Sequence, residues 1–393
     1  MAVTLGVPRE LEPGETRVAL VPATVPKLTA LGANAVVESG AGLLSFIEDS
    51  EYRDARVVAK AADVYAAAEV VLKVQPPTPQ EAAQMRPGAV FVGMIPAHKF
   101  PERVVALRNR GTTAFALELL PRITRAQPMD VLSSQASIAG QKAALMATCA
   151  LGRLLPMFTS AVGTRRPAKA VVLGAGVAGL QAISTLHRLG AIVEAYDVRA
   201  ATREQVLSVG GRYIDMPISA EGEGGYAREL TEEERRLEEQ ILAAHITAAD
   251  TVITTAAVPG RRAPILVPAF LVERMKRGAV IIDLAAESGG NCELTQPGET
   301  VERHGVKIVG PLNVAALLPA QASDMYAKNV ANFVELLVKD GRYAPDWEDE
   351  IVAGTVLTRD GAIVHAPSRE LVEEWEQSAA GRSAAAAREK AAS

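Results

Sequence analysis

Two stretches of the chain carry residue types that could do chemistry. Residues 120–135 read Leu-Pro-Arg-Ile-Thr-Arg-Ala-Gln-Pro-Met-Asp-Val-Leu-Ser-Ser-Gln, which crowds two arginines, two amides, a carboxylate and three hydroxyls into one connecting segment. A primary carboxamide offers two donors and one acceptor, so Arg122, Gln127, Asp130 and Ser133 are suitable types for orienting such a group and a neighbouring ribose. The same residues also suit a polar loop in which Ser133 or Ser134 caps a helix starting near Ala136 and the arginines are solvated. The second stretch is Lys169-Ala-Val-Val-Leu-Gly-Ala-Gly-Val-Ala-Gly-Leu-Gln, where Gly174, Gly176 and Gly179 form GxGxxG. That spacing binds a dinucleotide only between a strand and a helix, with an acidic residue about twenty positions on. Here an apolar strand precedes it, a helical pattern follows, and a second strand ends in Ala195-Tyr196-Asp197. Gly174 permits the turn, Gly176 lets the backbone approach a pyrophosphate, and Gly179 allows helix and strand to pack closely. Asp197 can accept from ribose hydroxyls and would repel a 2′-phosphate, which favours NAD over NADP, although Arg199 close by could receive that phosphate.

These residues need elements to hold them. Apolar runs at 3–7, 17–21, 35–37, 69–74, 89–94 and 113–117 read as strands, with a helix over 23–31 ending at Gly32. Further strands at 169–173, 191–196, 251–255, 279–284 and 306–309 alternate with amphipathic helices, a full set for a doubly wound sheet. The expected class is α/β, with two Rossmann-like domains on parallel sheets and a cofactor cleft between them. The expected boundaries are 1–134 for the first domain and 135–320 for the dinucleotide domain. A helix near 323–340 opens a third part, 321–378, returning to the first domain, and 379–393 is an alanine-rich tail. Residues 219–234 combine Gly222, Gly224 and Gly225 with Tyr226 and many carboxylates, and read as a mobile lid or as an exposed acidic linker.

Composition narrows the function. A chain of 393 residues exceeds one ordinary core, and 49% hydrophobic with 22% charged residues places it among globular proteins. A net charge of −5 with scattered basic residues speaks against nucleic acid. Two cysteines without a CxxC, and histidines without clusters, show no metal site and suggest a reducing compartment. No basic region followed by a long apolar stretch opens the chain, so a cytoplasmic location is expected. The uncharged window 170–187 holds three glycines, a glutamine and a histidine, which suits a strand, turn and helix better than a membrane span. Asp283 and Glu287 could form a paired-carboxylate site, but a turn-stabilising role for Asp283 is equally consistent.

Arg122-Ile-Thr-Arg-Ala-Gln-Pro-Met-Asp-Val-Leu-Ser-Ser-Gln resembles the signature loop of the NAD(H)-binding subunit of proton-translocating nicotinamide nucleotide transhydrogenases. Pro8-Arg-Glu with Gly14-Glu-Thr-Arg-Val-Ala, Leu72-Lys-Val-Gln, Gly174 to Gln181, and Asp197-Val-Arg-Ala-Ala-Thr resemble it too. So do Gly224-Gly-Tyr-Ala, Ile281-Ile-Asp-Leu-Ala and Thr358-Arg-Asp-Gly-Ala-Ile-Val-His, and the likeness runs from about residue 3 to 366. It implies a usually dimeric component that binds NAD(H), docks on an NADP(H)-binding subunit, and works with membrane-spanning subunits that carry protons. Such a component would be cytoplasmic and peripheral on the inner membrane. By this resemblance Arg122, Gln127, Asp130 and Ser133, with Pro128 and Met129 in the same turn, hold the nicotinamide and its ribose. Asp197, Val198 and Arg199 take the adenosine side, Val177 and Ala257 line the cofactor, and Gly225 and Tyr226 belong to the lid. Arg122, Gln127, Asp130, Ser133 and Tyr226 are the expected catalytic set.

Alanine dehydrogenase shares the fold and gives the alternative. Oxidising an amino acid needs a general acid/base and a cation for the carboxylate. That family's pattern would put a lysine at Gln75 and a histidine at Met94, and both are absent, although Arg17 and Lys73 remain and His98 lies a few residues on. Hydride exchange between two nicotinamides releases no proton at the reacting carbons and needs alignment and exclusion of water instead. A third possibility, a non-catalytic NAD-sensing module, predicts binding without any hydride exchange.

Overall fold

The computed structural model describes residues 2–216, 231–257, 260–378 and 383. The chain divides into two compact units, Met1–Gln135 with Pro319–Ser393, and Ala136–Leu318.

The first unit is built on eight strands in the order Ala362–Ile363, Val356–Arg359, Thr113–Ala116, Val90–Gly93, Val70–Leu72, Thr4–Val7, Asn34–Glu38 and Arg56–Val58. The six N-terminal strands run parallel, and the two late ones close the edge antiparallel. Strands covered on both faces read as continuous apolar runs, and alternate side chains go to opposite cores. Val70, Leu72, Val90, Val92 and Phe115 face a core shared with Tyr326, Val330, Phe333 and Val334 of the Pro319–Leu337 helix. Val71, Phe91, Ala114 and Ala116 face the other, with Tyr65, Leu107 and Val372. Phe115 meets Phe333 edge-on at 5.4 Å and stacks on Trp347 at 6.0 Å, which ties late residues to the early strands.

Residues 17–21 do not form the expected strand. Their donors are taken locally and by side chains: Arg17 N–H bonds Glu15 Oε1 at 2.9 Å and Val18 N–H bonds Ser323 Oγ at 3.1 Å, so no ladder forms while Val18, Ala19 and Leu20 still enter the core.

The second unit carries seven strands in the order Arg212–Tyr213, Ile192–Tyr196, Lys169–Leu173, Thr251–Thr254, Val280–Asp283, Val306–Val309 and Thr300–Arg303. All pair parallel except the last, so the sheets are mostly parallel with antiparallel edges. The chain winds outward from Lys169–Leu173 in one direction and from Thr251–Thr254 in the other. The switch in strand order therefore falls between them, where open α/β sheets leave a crevice at the strand ends. Among the described residues no helix is long and apolar enough to cross a membrane.

Candidate functional site

In the second unit the GxGxxG turn lies at that switch point. Gly174 has φ +98°, a conformation that disfavours side chains, and a Cβ on Gly179 would lie 1.9 Å from the Gly174 carbonyl oxygen. Gly176 begins the Val177–Arg188 helix, and the nearest atom to a Cβ built there, Arg199 Nη2, is 4.0 Å away. The first N–H groups of a helix lack partners within it and attract anions, so this open turn needs no lysine to hold phosphate. Val177 is half-exposed at the helix start.

Asp197 closes the turn from the next strand. Its Oδ2 accepts from Ala175 N–H at 2.8 Å and its Oδ1 from Arg199 N–H at 2.9 Å. The Arg199 guanidinium adds two bonds of 2.9 Å, and Tyr213 donates to the Asp197 carbonyl at 2.6 Å. Arg199 is thus committed to the carboxylate, while Val198 packs beside the apolar core of this unit. From the far side of the switch, Thr255 Oγ1 donates to the Gly174 carbonyl at 3.0 Å.

The loop carrying Ala257 is braced by a residue the sequence did not single out. Asn291 accepts from Ala256 N–H at 3.0 Å and donates to the carbonyls of Ala256 and Pro264, each at 2.8 Å. The preceding Gly289 and Gly290, both at positive φ, were its only sequence signal. Asp283 and Glu287 serve separate turns. Buried Asp283 accepts from Thr254, Ala285, Cys292 and Thr295, whereas Glu287 accepts from Asn313 N–H at 2.7 Å.

In the first unit the opening segment is more ordered than a polar loop. Thr124–Met129 forms a 3-10 turn and Val131–Ala150 an α-helix, which begins five residues ahead of the expected Ala136. Asp130, not Ser133 or Ser134, is the cap: it accepts Ser133 N–H at 2.9 Å and Ser133 Oγ at 2.6 Å. Arg122, Gln127 and Pro128 are exposed, whereas the Met129 side chain is buried and leaves its backbone for any ligand. Arg125 pairs with Asp349 through two bonds of 2.7 and 2.8 Å, which hold the Asp349 carboxyl at about 2. Gly225 and Tyr226, and with them residues 219–230 of the expected lid, lie outside the described residues, and the lid's last residues begin the Glu232–Ala248 helix.

Beneath this segment lies a buried ionic network whose Glu15, Arg17, Lys73 and Gln75 stand in the Gly14-Glu-Thr-Arg-Val-Ala and Leu72-Lys-Val-Gln motifs. Arg17 bonds both oxygens of Glu15, at 2.8 and 2.6 Å, and Gln135 Oε1 at 2.9 Å. Gln75 donates to Glu15 at 2.8 Å, and Lys73 pairs with Glu81 at 2.6 Å and Glu10 at 3.6 Å. Burial alone would raise the Glu81 carboxyl, but the charge and hydrogen bond of Lys73 hold it below its ordinary range. For Glu10 burial wins over Lys73 and lifts the carboxyl to about 7. Glu118, buried with Ile95 N–H as its donor at 2.9 Å, is likewise pushed by burial to about 7. Charged residues amid apolar strand sequence were the available signal. Met94 packs against the apolar core, and His98, only partly desolvated, is held below its ordinary value by that desolvation and by Lys99. No group of three His, Cys, Asp or Glu that could hold a metal occurs among the described residues.

Similarity to known proteins accounts for both halves. In Rhodospirillum rubrum the first portion of the NAD(P) transhydrogenase alpha subunit is 46% identical over 374 residues, covering 92% of this chain and 97% of that one. The crystal structure of transhydrogenase from Sinorhizobium meliloti superposes with TM-score 0.84 at 46% identity, covering 92% of this chain and 100% of that one. Alanine dehydrogenase of Bacillus subtilis is 31% identical over 326 residues, 80% of each chain. Residues 6–139 match the family Alanine dehydrogenase/PNT, N-terminal domain, and residues 143–366 match Alanine dehydrogenase/PNT, C-terminal domain. The chain belongs to the alanine dehydrogenase/PNT family.

Proposed function

We propose that this chain is the NAD(H)-binding subunit of a proton-translocating NAD(P) transhydrogenase. It exchanges hydride directly with NADP(H) held by a partner subunit, and separate membrane-spanning subunits couple the exchange to protons. The second unit fits a dinucleotide. Its turn is open at Gly176, closed against side chains at Gly174 and Gly179, and followed by a carboxylate on the next strand. Bound there, the cofactor would supply the hydride-carrying ring. Gly174 to Val177 would hold the pyrophosphate by backbone N–H groups, Asp197 the adenosine ribose, with Val198, Arg199 and Ala257 beside it. Arg122, Gln127, Asp130 and Ser133 would orient the carboxamide and ribose of the nicotinamide side, with Pro128 and Met129 shaping their turn. Gly225 and Tyr226 would cover the ring.

The observation that carries this reading over an amino-acid dehydrogenase is the buried network. Both cations left near the dehydrogenase positions are already neutralised, Arg17 by Glu15 and Lys73 by Glu81 and Glu10. Residue 75 is a glutamine that donates to Glu15, and residue 94 is a methionine in the core, so neither supplies a cation or a proton-transfer group. Alignment and exclusion of water, not acid/base chemistry, are what this chain can offer. A homodimer is part of the proposal. The hairpin Phe158–Ser160 with Gly163–Arg165 leaves Phe158 half-exposed and Val162 at 85% exposure, apolar surface that a second copy would cover. A cytoplasmic position, peripheral on the inner membrane through the partner subunits, follows from the same reading.

The test combines this chain with an NADP(H)-binding subunit and follows reduction of an NAD analogue by NADPH, beside an assay with pyruvate, ammonia and NADH. Turnover in the first assay is expected. Turnover only in the second would make the chain a dehydrogenase.

A further inference from the structure

The carbonyl of Pro128 is gripped from more than two hundred residues away. Asn329 and Asn332, on the Pro319–Leu337 helix, each donate a side-chain N–H to it at 2.8 Å. Residues three apart share one helix face, so a single turn of helix fills both lone pairs of one carbonyl. Asn332 is itself steadied by Lys27, whose Nζ donates to Asn332 Oδ1 at 2.5 Å and pairs with Glu335 at 3.0 Å. Asn329 is buried, and its Oδ1 has no hydrogen-bond partner among the described residues. A buried acceptor left so is destabilising, a cost that an apolar side chain of similar size would avoid. The donor half of that amide is the part the site uses.

The same helix takes hold a second time. Gln135 Nε2 donates to the Ala322 carbonyl at 3.1 Å, while Gln135 Oε1 receives Arg17. Ala322 and Asn329 stand roughly 10 Å apart along the helix. Residues 128–135 are therefore pinned at both ends, and Asp130 and Ser133 lie in the pinned stretch. Buried Ala126 and Met129 attach the 3-10 turn to the core, but apolar contacts set no direction for a peptide plane. The amide pair does set it, and with it the directions in which Gln127 and Asp130 leave the chain.

We propose that Asn329 and Asn332 are positioning residues for hydride transfer, locking the Pro128 peptide so that Gln127 and Asp130 meet the nicotinamide in one orientation. This rests on the nucleotide reading given above. The glycine turn and Asp197 bind the rest of the dinucleotide independently of the lock, so loosening it degrades alignment more than affinity. A displacement of about 1 Å can cost on the order of a hundredfold in rate.

Asn332→Asp is isosteric, keeps an oxygen for Lys27 and replaces the donor facing Pro128. In the complex with the NADP(H)-binding subunit it is expected to lower kcat about tenfold with the NADH Kd within about twofold. The Asn329→Ala/Asn332→Ala pair is expected to lose about a hundredfold. Lys328→Met, which breaks only an exposed pair with Asp324 on the same helix and leaves both amides on Pro128, should stay near wild type. Hydrogen exchange at Asp130 N–H, which bonds the Gln127 carbonyl at 3.2 Å, should accelerate in both amide variants whether or not the complex turns over. Unchanged exchange and unchanged kcat in an active complex would overturn the lock, as would a kcat loss matched by an equal loss of NADH affinity. A wild-type complex that neither binds NADH nor exchanges hydride would instead sink the nucleotide reading. The exchange measurement would still decide whether the amides hold the turn.

Discussion

Glu118 offers a quantitative check on the buried chemistry of the first unit. Its carboxyl accepts Ile95 N–H at 2.9 and 3.0 Å and has no ion-pair partner among the described residues, so burial drives it from 4.5 to about 7. Between those values the folded chain keeps a proton that the unfolded chain releases. The stability this supplies is fully present below pH 4.5 and is lost as pH rises through 7. At about 1.4 kcal/mol per pH unit, the loss from this one group is about 3 kcal/mol. Glu118→Gln cannot titrate and still offers an oxygen to Ile95, so its stability relative to wild type should climb by about 3 kcal/mol from pH 4.5 to 8. Glu10, also raised to about 7, is present in both proteins and cancels in the difference. The assay is urea unfolding followed by tryptophan fluorescence. The chain has two tryptophans, Trp347 and Trp375, and both belong to the first unit, so the signal reports that unit alone. A wild-type-to-variant difference that stays within about 0.5 kcal/mol over this range would refute the account of Glu118 as a buried, protonated acid.

Gly179→Ala forces a methyl to within 1.9 Å of the Gly174 carbonyl, so the helix must lift from the turn, and calorimetry should show NADH affinity reduced at least about tenfold. Asp197→Asn removes the charge that pairs with Arg199 and that we propose selects the adenosine ribose. NADH binding should weaken while NADPH binding improves, narrowing the ratio of their dissociation constants about tenfold. Arg125→Ala breaks a half-exposed pair with Asp349 and should leave hydride transfer within about twofold of wild type, separating Arg125 from Arg122 in the same segment. Phe158→Asp should shift the chain towards monomer in sedimentation velocity.

How much of this was legible in the sequence depends on whether the physics was local. The strands Lys169–Leu173 and Val90–Gly93 are buried on both faces, so their residues had to be apolar in unbroken runs and could be read directly. The glycine turn was legible for the same reason, since its backbone angles exclude other residues wherever the chain goes next. Residues 17–21 look the same by composition, yet Ser323, three hundred positions on, takes the Val18 donor and the strand never forms. The start of the helix after the opening segment moved five residues because Asp130 competed with Ser133 for the cap, and both are good caps.

The remaining features were hidden because the fold decides the pairing, whether the partner lies two hundred positions away or two. Asn291, Asn329 and Asn332 are ordinary amides until a backbone carbonyl arrives opposite them. Lys73 and Arg17 are ambiguous until Glu10, Glu15 and Glu81 are found beside them. That second ambiguity decides between the two branches of the family. A buried arginine in isolation would invite a substrate carboxylate. One already bonded to Glu15 and Gln135 offers no such invitation, because admitting a carboxylate would first strand a buried Glu15 without its cation, a cost of several kcal/mol. Freeing Arg17 from its internal partner is thus the change that would bring amino-acid chemistry within reach of this fold. Glu15→Gln with Gln75→Lys and Met94→His is the smallest set of substitutions that attempts it.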